Sequence, residues 1–312
     1  MKKKSKNILV VGLGNLGFNY LKAIFSFSFN INLFIFDKKS ELKNQKFKYA
    51  KNIKLFKVND LEKFNRNLDL VIVSTTANKR LDLIKILKRN KVKYWILEKL
   101  LEQNVASTNS MYKNLKEEKC WVNIPRRAMK EYNYIKQNFN NEIKTNLELS
   151  MNGDRIVTNS IHFIDLLCWF SNSEVKIIDT TKLKKKWVES KRKGFYETGG
   201  TLKVILKNKS QAILKAGNKV KKSDIIISNK LISWTISERN FNAFRSDGLK
   251  IKMRLPLVSE VMKKVITDIF TNKDCSLPSL KEVIKNHNVL IKSLKKHWIN
   301  CKKKNIVSLP VT

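Results

Sequence analysis

The chain has 312 residues, 42% of them apolar, and a formal charge of +38 from 64 Lys and Arg against 26 Asp and Glu. That length and apolar share suit two ordinary domains with sizeable cores, and 9 Gly and 4 Pro leave little room for long disordered linkers. So basic a balance raises nucleic acid as a partner. Yet the lysines are spread among many Asn and Ile, as an AT-rich coding sequence produces, and no zinc-finger, aromatic–basic or basic-heptad motif accompanies them, so no specific nucleic-acid ligand is expected.

Along the chain, Ile8-Leu9-Val10-Val11 predicts a buried parallel strand. Gly12, Gly14 and Gly17 then fall as G-x-G-x-x-G, and Phe18 to Ile24 suits a helix. This is the context of a Rossmann dinucleotide site. There Gly12 permits the tight turn, Gly14 lets the backbone approach a pyrophosphate, and Gly17 lets helix and strand pack closely. The N–H groups at the helix start, around Asn15 and Leu16, would face the phosphates. Ile31 to Phe36 is a second strand ending at Asp37, 20 residues past Gly17. An acid at that spacing accepts hydrogen bonds from the adenine-ribose hydroxyls of NAD and repels a 2′-phosphate; a surface Asp closing a strand is the plain alternative. Lys38 and Lys39 follow and are able to accept a 2′-phosphate, so NAD is expected with NADP left open.

Lys54 to Val58 predicts a third strand, and Asp60 caps a helical turn over Asp60–Phe64. Leu70 to Ser74 is another buried strand, leading through Thr75-Thr76-Ala77-Asn78 into a helix from Lys79 to Asn90. Tyr94 to Leu97 is the next strand and ends on Glu98-Lys99; a helix over Ala106–Glu118 and a strand over Cys120–Ile124 complete the alternation. Ligands bind at the C-terminal ends of such strands, which singles out Ser74, Thr75, Asn78, Glu98 and Lys99.

After Pro125 the rhythm changes. Arg126 to Phe139 reads as a helix. Strand patterns follow at Thr145–Met151, Val175–Asp179, Leu202–Leu206, Gln211–Ala216, Asp224–Ser228, Leu231–Ser237 and Leu249–Arg254. One helix, Asn159–Phe170, interrupts them, and helices Leu257–Thr271 and Leu280–Trp298 close the chain. Strands without intervening helices imply a mostly antiparallel sheet. The expected fold class is thus an α/β Rossmann domain with a parallel sheet, residues 1–122, then an α+β domain with a mostly antiparallel open sheet, residues 123–312.

Cys120, Cys168, Cys275 and Cys301 form no C-x-x-C pair, which argues against a disulfide framework or a structural zinc site and fits a reducing cytoplasm. No metal ligand set is expected. Met1-Lys2-Lys3-Lys4 before an apolar run imitates a signal peptide, but the run is short, glycine-broken and lacks an A-x-A site. Ile24 to Phe36 is too short and too polar to span a bilayer, so a soluble protein with no membrane partner is expected. Lys184-Lys185-Lys186 and Lys302-Lys303-Lys304 read as solvated faces.

The order and spacing of the G-x-G-x-x-G loop, Ser74-Thr75-Thr76-Ala77-Asn78, Glu98-Lys99, Arg126-Arg127 and His162-Phe163-Ile164-Asp165 resemble the glucose–fructose oxidoreductase/inositol dehydrogenase (Gfo/Idh/MocA) family over nearly the whole chain. Leu277–Val283 and Val307–Pro310 look like that family's ending. The resemblance implies an NAD(P)-dependent oxidoreductase acting on a sugar or nucleotide sugar, as in surface-glycan biosynthesis. It also implies a lysine beside nicotinamide and substrate (Lys99), a histidine acid/base in the second domain (His162), and a homo-oligomer paired through the open sheet. Three positions depart from the family pattern. Leu100 replaces the proline of E-K-P, Thr158 stands where an Asp often precedes the histidine by four, and Lys79-Arg80 stand where a histidine often follows the loop. These departures motivate an alternative, a catalytically silent protein that binds a dinucleotide or sugar in regulation or assembly.

Hydride transfer requires a group to take the carbinol proton. His162 titrates in the right range, and Asp165, three residues on, shares its helical face and would orient the ring; a core histidine beside an Asp is the bland reading. Lys99 would stabilise developing negative charge on the reacting oxygen, against the plain reading of a solvated lysine. Arg126 and Arg127 would contact substrate anions, or Arg127 would brace the domain junction. Tyr132-x-x-x-Lys136 spells a short-chain-dehydrogenase pair, but the T-G-x-x-x-G-x-G loop of those enzymes is missing, so an ordinary helix is expected. His287 and His297 read as structural or exposed.

Overall fold

The computed structural model describes residues 5–38, 51–139, 143–218, 220 and 223–312. Lys39 lies outside them. The chain forms two compact units. The first is Met1–Leu101, Asn109–Ala128 and Pro256–Lys281; the second is Glu102–Thr108, Met129–Leu255 and Glu282–Thr312.

In chain order the opening elements are β1 (Lys6–Val11), α1 (Asn15–Phe25), β2 (Ile31–Phe36), β3 (Ile53–Lys57), β4 (Asn67–Leu68), β5 (Leu70–Val73), α2 (Arg80–Leu87), β6 (Lys91–Val92), β7 (Tyr94–Leu97), α3 (Val105–Leu115) and β8 (Lys119–Val122). Six strands make one sheet in the order β3-β2-β1-β5-β7-β8, every pair parallel. Ile8 to Val11, Leu70 to Val73 and Trp95 to Leu97 are buried throughout, as strands covered on both faces must be. The strand order turns outward from β1, to β2 and β3 on one side and to β5, β7 and β8 on the other, so the crevice past β1 and β5 is the topological switch point. β4 and β6 form a small parallel pair.

A 3₁₀ turn (Pro125–Ala128) and α4 (Lys130–Gln137) follow. The single helix expected over Arg126–Phe139 is therefore broken, at Met129, whose backbone is extended. Asp60–Phe64 is not helical either. Asp60 Oδ1 accepts from the Glu62 N–H at 2.8 Å, a local side-chain turn that competes with a helix start.

The second unit contains β9 (Asn146–Asn152), α5 (Ile156–Ser171), β10 (Val175–Asp179), β11 (Val188–Glu189), β12 (Tyr196–Glu197), β13 (Gly200–Leu206), β14 (Gln211–Gly217), β15 (Ile225–Ser228), β16 (Ser233–Ser237), β17 (Asn242–Arg245) and β18 (Lys250–Lys252). Eight strands form one sheet, order β10-β13-β14-β9-β15-β16-β17-β18, antiparallel except where β14 runs parallel to β9. Leu147, Leu149 and Met151 on β9, Leu202, Val204 and Leu206 on β13, and Ala212, Leu214 and Ala216 on β14 alternate inward, and α5 packs on these strands. β17, absent from the sequence reading, carries Ala243 as its one buried apolar residue, too little alternation to register as a strand. β11 and β12 pair by themselves.

The chain closes with α6 (Val258–Asn272) and α7 (Leu280–Lys302). α6 packs on α1 and on the 3₁₀ turn and buries Val261, Met262, Val265, Ile266 and Ile269, and the Val122 N–H donates to the Pro278 carbonyl at 2.9 Å. These contacts return Pro256–Lys281 to the first unit, whereas the division at 122/123 treats each domain as one continuous run. Among the described residues no helix is long and apolar enough to cross a membrane.

Candidate functional site

The loop after β1 is built by two glycines and left open by a third. Gly12 has φ +93°, which side chains rarely adopt, and a Cβ there would stand 3.0 Å from Ser74 and Thr75. A Cβ on Gly17 would stand 2.0 Å from the Gly12 carbonyl oxygen, so only glycine lets α1 come this close to the turn. A Cβ on Gly14 would meet nothing within 4 Å. Gly14 caps α1, and the first intrahelical bond is Phe18 N–H to Gly14 O at 3.0 Å. The N–H groups of Asn15, Leu16 and Gly17 thus precede the helical ladder, with no acidic side chain in the first turn to compete for them.

Neighbouring strand ends tie into this loop. Asp37 Oδ2 accepts from the Leu13 N–H at 2.5 Å, which holds the carboxylate at the end of β2 against the loop. Ser74 Oγ donates to the Gly12 carbonyl at 2.6 Å. Thr75 Oγ1 is buried and finds no hydrogen-bond partner among the described residues. Open space over Gly14, oriented N–H groups, a carboxylate beside the loop and an orphaned hydroxyl fit a dinucleotide. Asn78 is exposed on the loop leading to α2.

The parallel ladder continues past the strands, from Ser74 N–H to Val11 O (2.8 Å), Glu98 N–H to Val73 O (3.0 Å) and Asn123 N–H to Leu97 O (2.8 Å). Glu98 is buried, and burial pushes its carboxyl above the usual range against the opposing pull of the Asn123 amide, Lys99 and Arg80. Asn123 Nδ2 donates to Glu98 Oε1. Lys99 stands half-buried at the end of β7, and the Lys99–Leu100 peptide is cis. Arg80 has no exposed surface; its guanidinium donates to the carbonyls of Thr75, Glu98, Leu100 and Leu101. Asn123 and Arg80 are the residues of this cluster that the sequence reading did not place in the site. Asn123 follows a strand as Ser74 and Glu98 do, a signal that was present; the four carbonyl partners of Arg80 left none. Arg126 and Arg127 lie half-buried in the 3₁₀ turn, which packs on α6.

In the second unit, His162 is half-buried on α5 and Asp165, on the same helical face, is 1% exposed. One turn before His162, at Thr158, a carboxylate arrives from another element. Glu197 of β12 accepts from the Val157 N–H (2.9 Å), the Thr158 N–H (3.2 Å) and the Thr158 hydroxyl. That carboxylate satisfies the first turn of α5, which has no acidic residue of its own, and lets the helix begin at Ile156 rather than the expected Asn159.

The remaining candidates take structural places. Tyr132 Oη donates to Glu238 Oε1 at 2.6 Å while Lys136 Nζ donates to the Phe170 carbonyl, so the Tyr–Lys pair serves α4. His287 and His297 are buried rather than exposed. Lys184, Lys185 and Lys186 are exposed; Lys184 pairs with Asp154 at 2.7 Å and Lys302 lies over the Trp298 ring.

No protein-family model matches the sequence, and no curated protein matches it significantly. Solved structures do. An oxidoreductase from Agrobacterium radiobacter in complex with NAD+, L-tartaric acid and magnesium is similar with a TM-score of 0.73 at 15% identity, over 95% of this chain and 97% of that one. UDP-N-acetylglucosamine 3-dehydrogenase GnnA from Acidithiobacillus ferrooxidans is similar with a TM-score of 0.65 at 13% identity, over 94% and 96%. A super-repressor mutant of Gal80p from Saccharomyces cerevisiae is similar with a TM-score of 0.69 at 16% identity, over 95% and 97%. At such identities the likeness is one of fold: the chain shares the fold of these structures over nearly its whole length.

Proposed function

We propose that the protein is an NAD(P)-dependent oxidoreductase that moves a hydride between a nicotinamide and a hydroxyl-bearing or keto carbon of a sugar or nucleotide sugar. One observation carries the reading: the open space over Gly14 at the start of α1, at the switch point of a parallel sheet. The nicotinamide, when bound, supplies the hydride acceptor or donor. The chain's own residues do the rest. The N–H groups of Asn15, Leu16 and Gly17 hold the pyrophosphate, and Asp37 holds the adenine ribose and favours NAD over NADP. Ser74, Thr75, Asn78 and Glu98 line the strand ends. Lys99 donates to the substrate oxygen and steadies negative charge on it. His162 takes the carbinol proton during oxidation and returns it during reduction, with Asp165 orienting the ring. Arg126 and Arg127 attract an anionic substrate. GnnA, of the same fold, is a UDP-N-acetylglucosamine 3-dehydrogenase, which supports the nucleotide-sugar reading; a place in surface-glycan biosynthesis and in the cytoplasm belongs to the same proposal. The outer face of the second unit's sheet is covered by a second copy of the chain.

A second reading, a dinucleotide- or sugar-binding protein without turnover, is favoured by the same fold in Gal80p and by Thr158 and Leu100. Fluorescence titration with NADH and NADPH, then a screen of sugars and UDP-sugars by nicotinamide absorbance, separates the two. With turnover in hand, His162→Asn should lower kcat roughly 10²–10⁴-fold and leave NADH affinity unchanged, and Lys99→Met should slow the reaction as well. Binding without turnover on any sugar supports the silent reading, and failure to bind either NADH or NADPH removes the oxidoreductase and leaves the silent reading with a sugar alone.

A further inference from the structure

The Arg80 guanidinium has no exposed surface and is aimed at main-chain carbonyls of two loops. Nη1 donates to Glu98 O at 2.5 Å, to Leu101 O at 2.9 Å and to Leu100 O, and Nη2 donates to Thr75 O. Lys99 is thereby flanked on both sides by residues whose carbonyls converge on one nitrogen. The same side chain ties this turn to the loop after β5. The counter-charge is close, since buried Glu98 feels the attraction of Arg80 and is itself held by Asn123.

We propose that Arg80 is a positioning residue that sets the path of the Glu98–Leu101 turn and so the placement of the Lys99 ammonium. The inference rests on the reading of Lys99 as a site residue. Rotation of the Glu98 or Leu100 peptide would break a bond to a buried cation, with no water at hand to replace it. A planar fork with five N–H donors reaches both loops at once, whereas an ammonium is a point charge with three donors and does not. Arg80 therefore does what a proline after Lys99 would do, by clamping carbonyls in place of restricting a backbone angle.

The test compares wild type, Arg80→Lys and Arg80→Ala in the full chain, the last purified with millimolar guanidinium chloride so that a fold needing the cation still forms. The first readout is acylation of Lys99 by an amine-reactive reagent, measured by peptide mass spectrometry against exposed Lys38 in the same molecule. The second is NADH affinity by fluorescence. In Arg80→Lys, Lys99 should be acylated several-fold faster relative to Lys38, and NADH affinity should fall roughly tenfold as the competent conformation loses population. Guanidinium should bring Arg80→Ala back toward wild type and leave Arg80→Lys, whose side chain fills the site, unchanged. Folded variants with wild-type Lys99 reactivity overturn the proposal, as does absence of any guanidinium effect on Arg80→Ala. If wild type itself binds no NADH or NADPH, the cofactor reading falls, while the acylation readout still decides the role of Arg80.

Discussion

At Gly17 a methyl group would stand 2.0 Å from the Gly12 oxygen, whereas at Gly14 it would meet nothing within 4 Å. The two alanine variants should therefore separate folding from binding. Gly17→Ala should cost about 1–3 kcal/mol as overpacking, seen in denaturant titration. Gly14→Ala should stay within about 0.5 kcal/mol of wild type yet weaken NADH by about tenfold or more, at least 1.4 kcal/mol. Equal stability losses at the two positions would mean that Gly14 serves the fold alone. His297 offers a second residue-level test. The Trp187 indole N–H donates to its Nδ1 at 3.2 Å, and since an indole only donates, that nitrogen must carry a lone pair and the ring is neutral. Burial lowers its pKa below 6.5 for the same reason. Below pH 6.5 the unfolded ring gains a proton that the folded ring refuses. This contribution to stability is whole above pH 6.5, falls as pH drops below it, and stops falling once the folded ring protonates. His297→Asn should show a shallower loss of Tm between about pH 7 and 5; an unchanged slope would place the pH sensitivity elsewhere.

At the scale of elements, α5 shows how a helix start is set from a distance. Its first turn has no acid, and Glu197 supplies one from β12. Glu197→Gln keeps an acceptor and removes the charge, so it should destabilise by about 1 kcal/mol. Glu197→Ala strands the Val157 and Thr158 donors and should cost about 2–3 kcal/mol. Chemical denaturation of both variants checks the order, and a Gln variant as unstable as the Ala variant would show that charge, rather than hydrogen bonding, carries the cap. The start of α5 was illegible because its cap lies about forty residues away in sequence. Asp60 erred the other way, since a good N-cap residue bonded its own near backbone instead of starting a helix.

At the scale of the molecule, register aligns Lys203, Ile213, Glu148, Ile226, Thr235, Phe244 and Lys250 in one row across the second unit's sheet, opposite the face that α5 covers. Ile226 and Phe244 in that row are exposed, at 37% and 42%. Apolar residues on a broad sheet, with charges at intervals, suit an interface that two copies share. Light scattering should give a multiple of 36.4 kDa. The double variant Ile226→Lys with Phe244→Lys should shift it to a folded monomer whose Tm no longer depends on protein concentration. A monomeric wild type at working concentration would remove the proposal.

What the sequence alone determined is what local chemistry specifies. Unbroken apolar runs made the parallel strands, glycines at fixed offsets made the loop after β1, and alternating residues made the antiparallel strands, each legible because burial repeats with the period of the element. That Ser74, Glu98 and Lys99 stand just past strand ends was legible because strand ends can be counted. Tertiary structure alone decided the rest. The guanidinium of Arg80 gathers carbonyls from two loops, Glu197 caps a helix from another element, and α6 rejoins α1 across the whole second strand series. A hydrogen bond between residues far apart in the chain has no period, and its partner is chosen only when packing brings the two together and excludes the water that would otherwise compete.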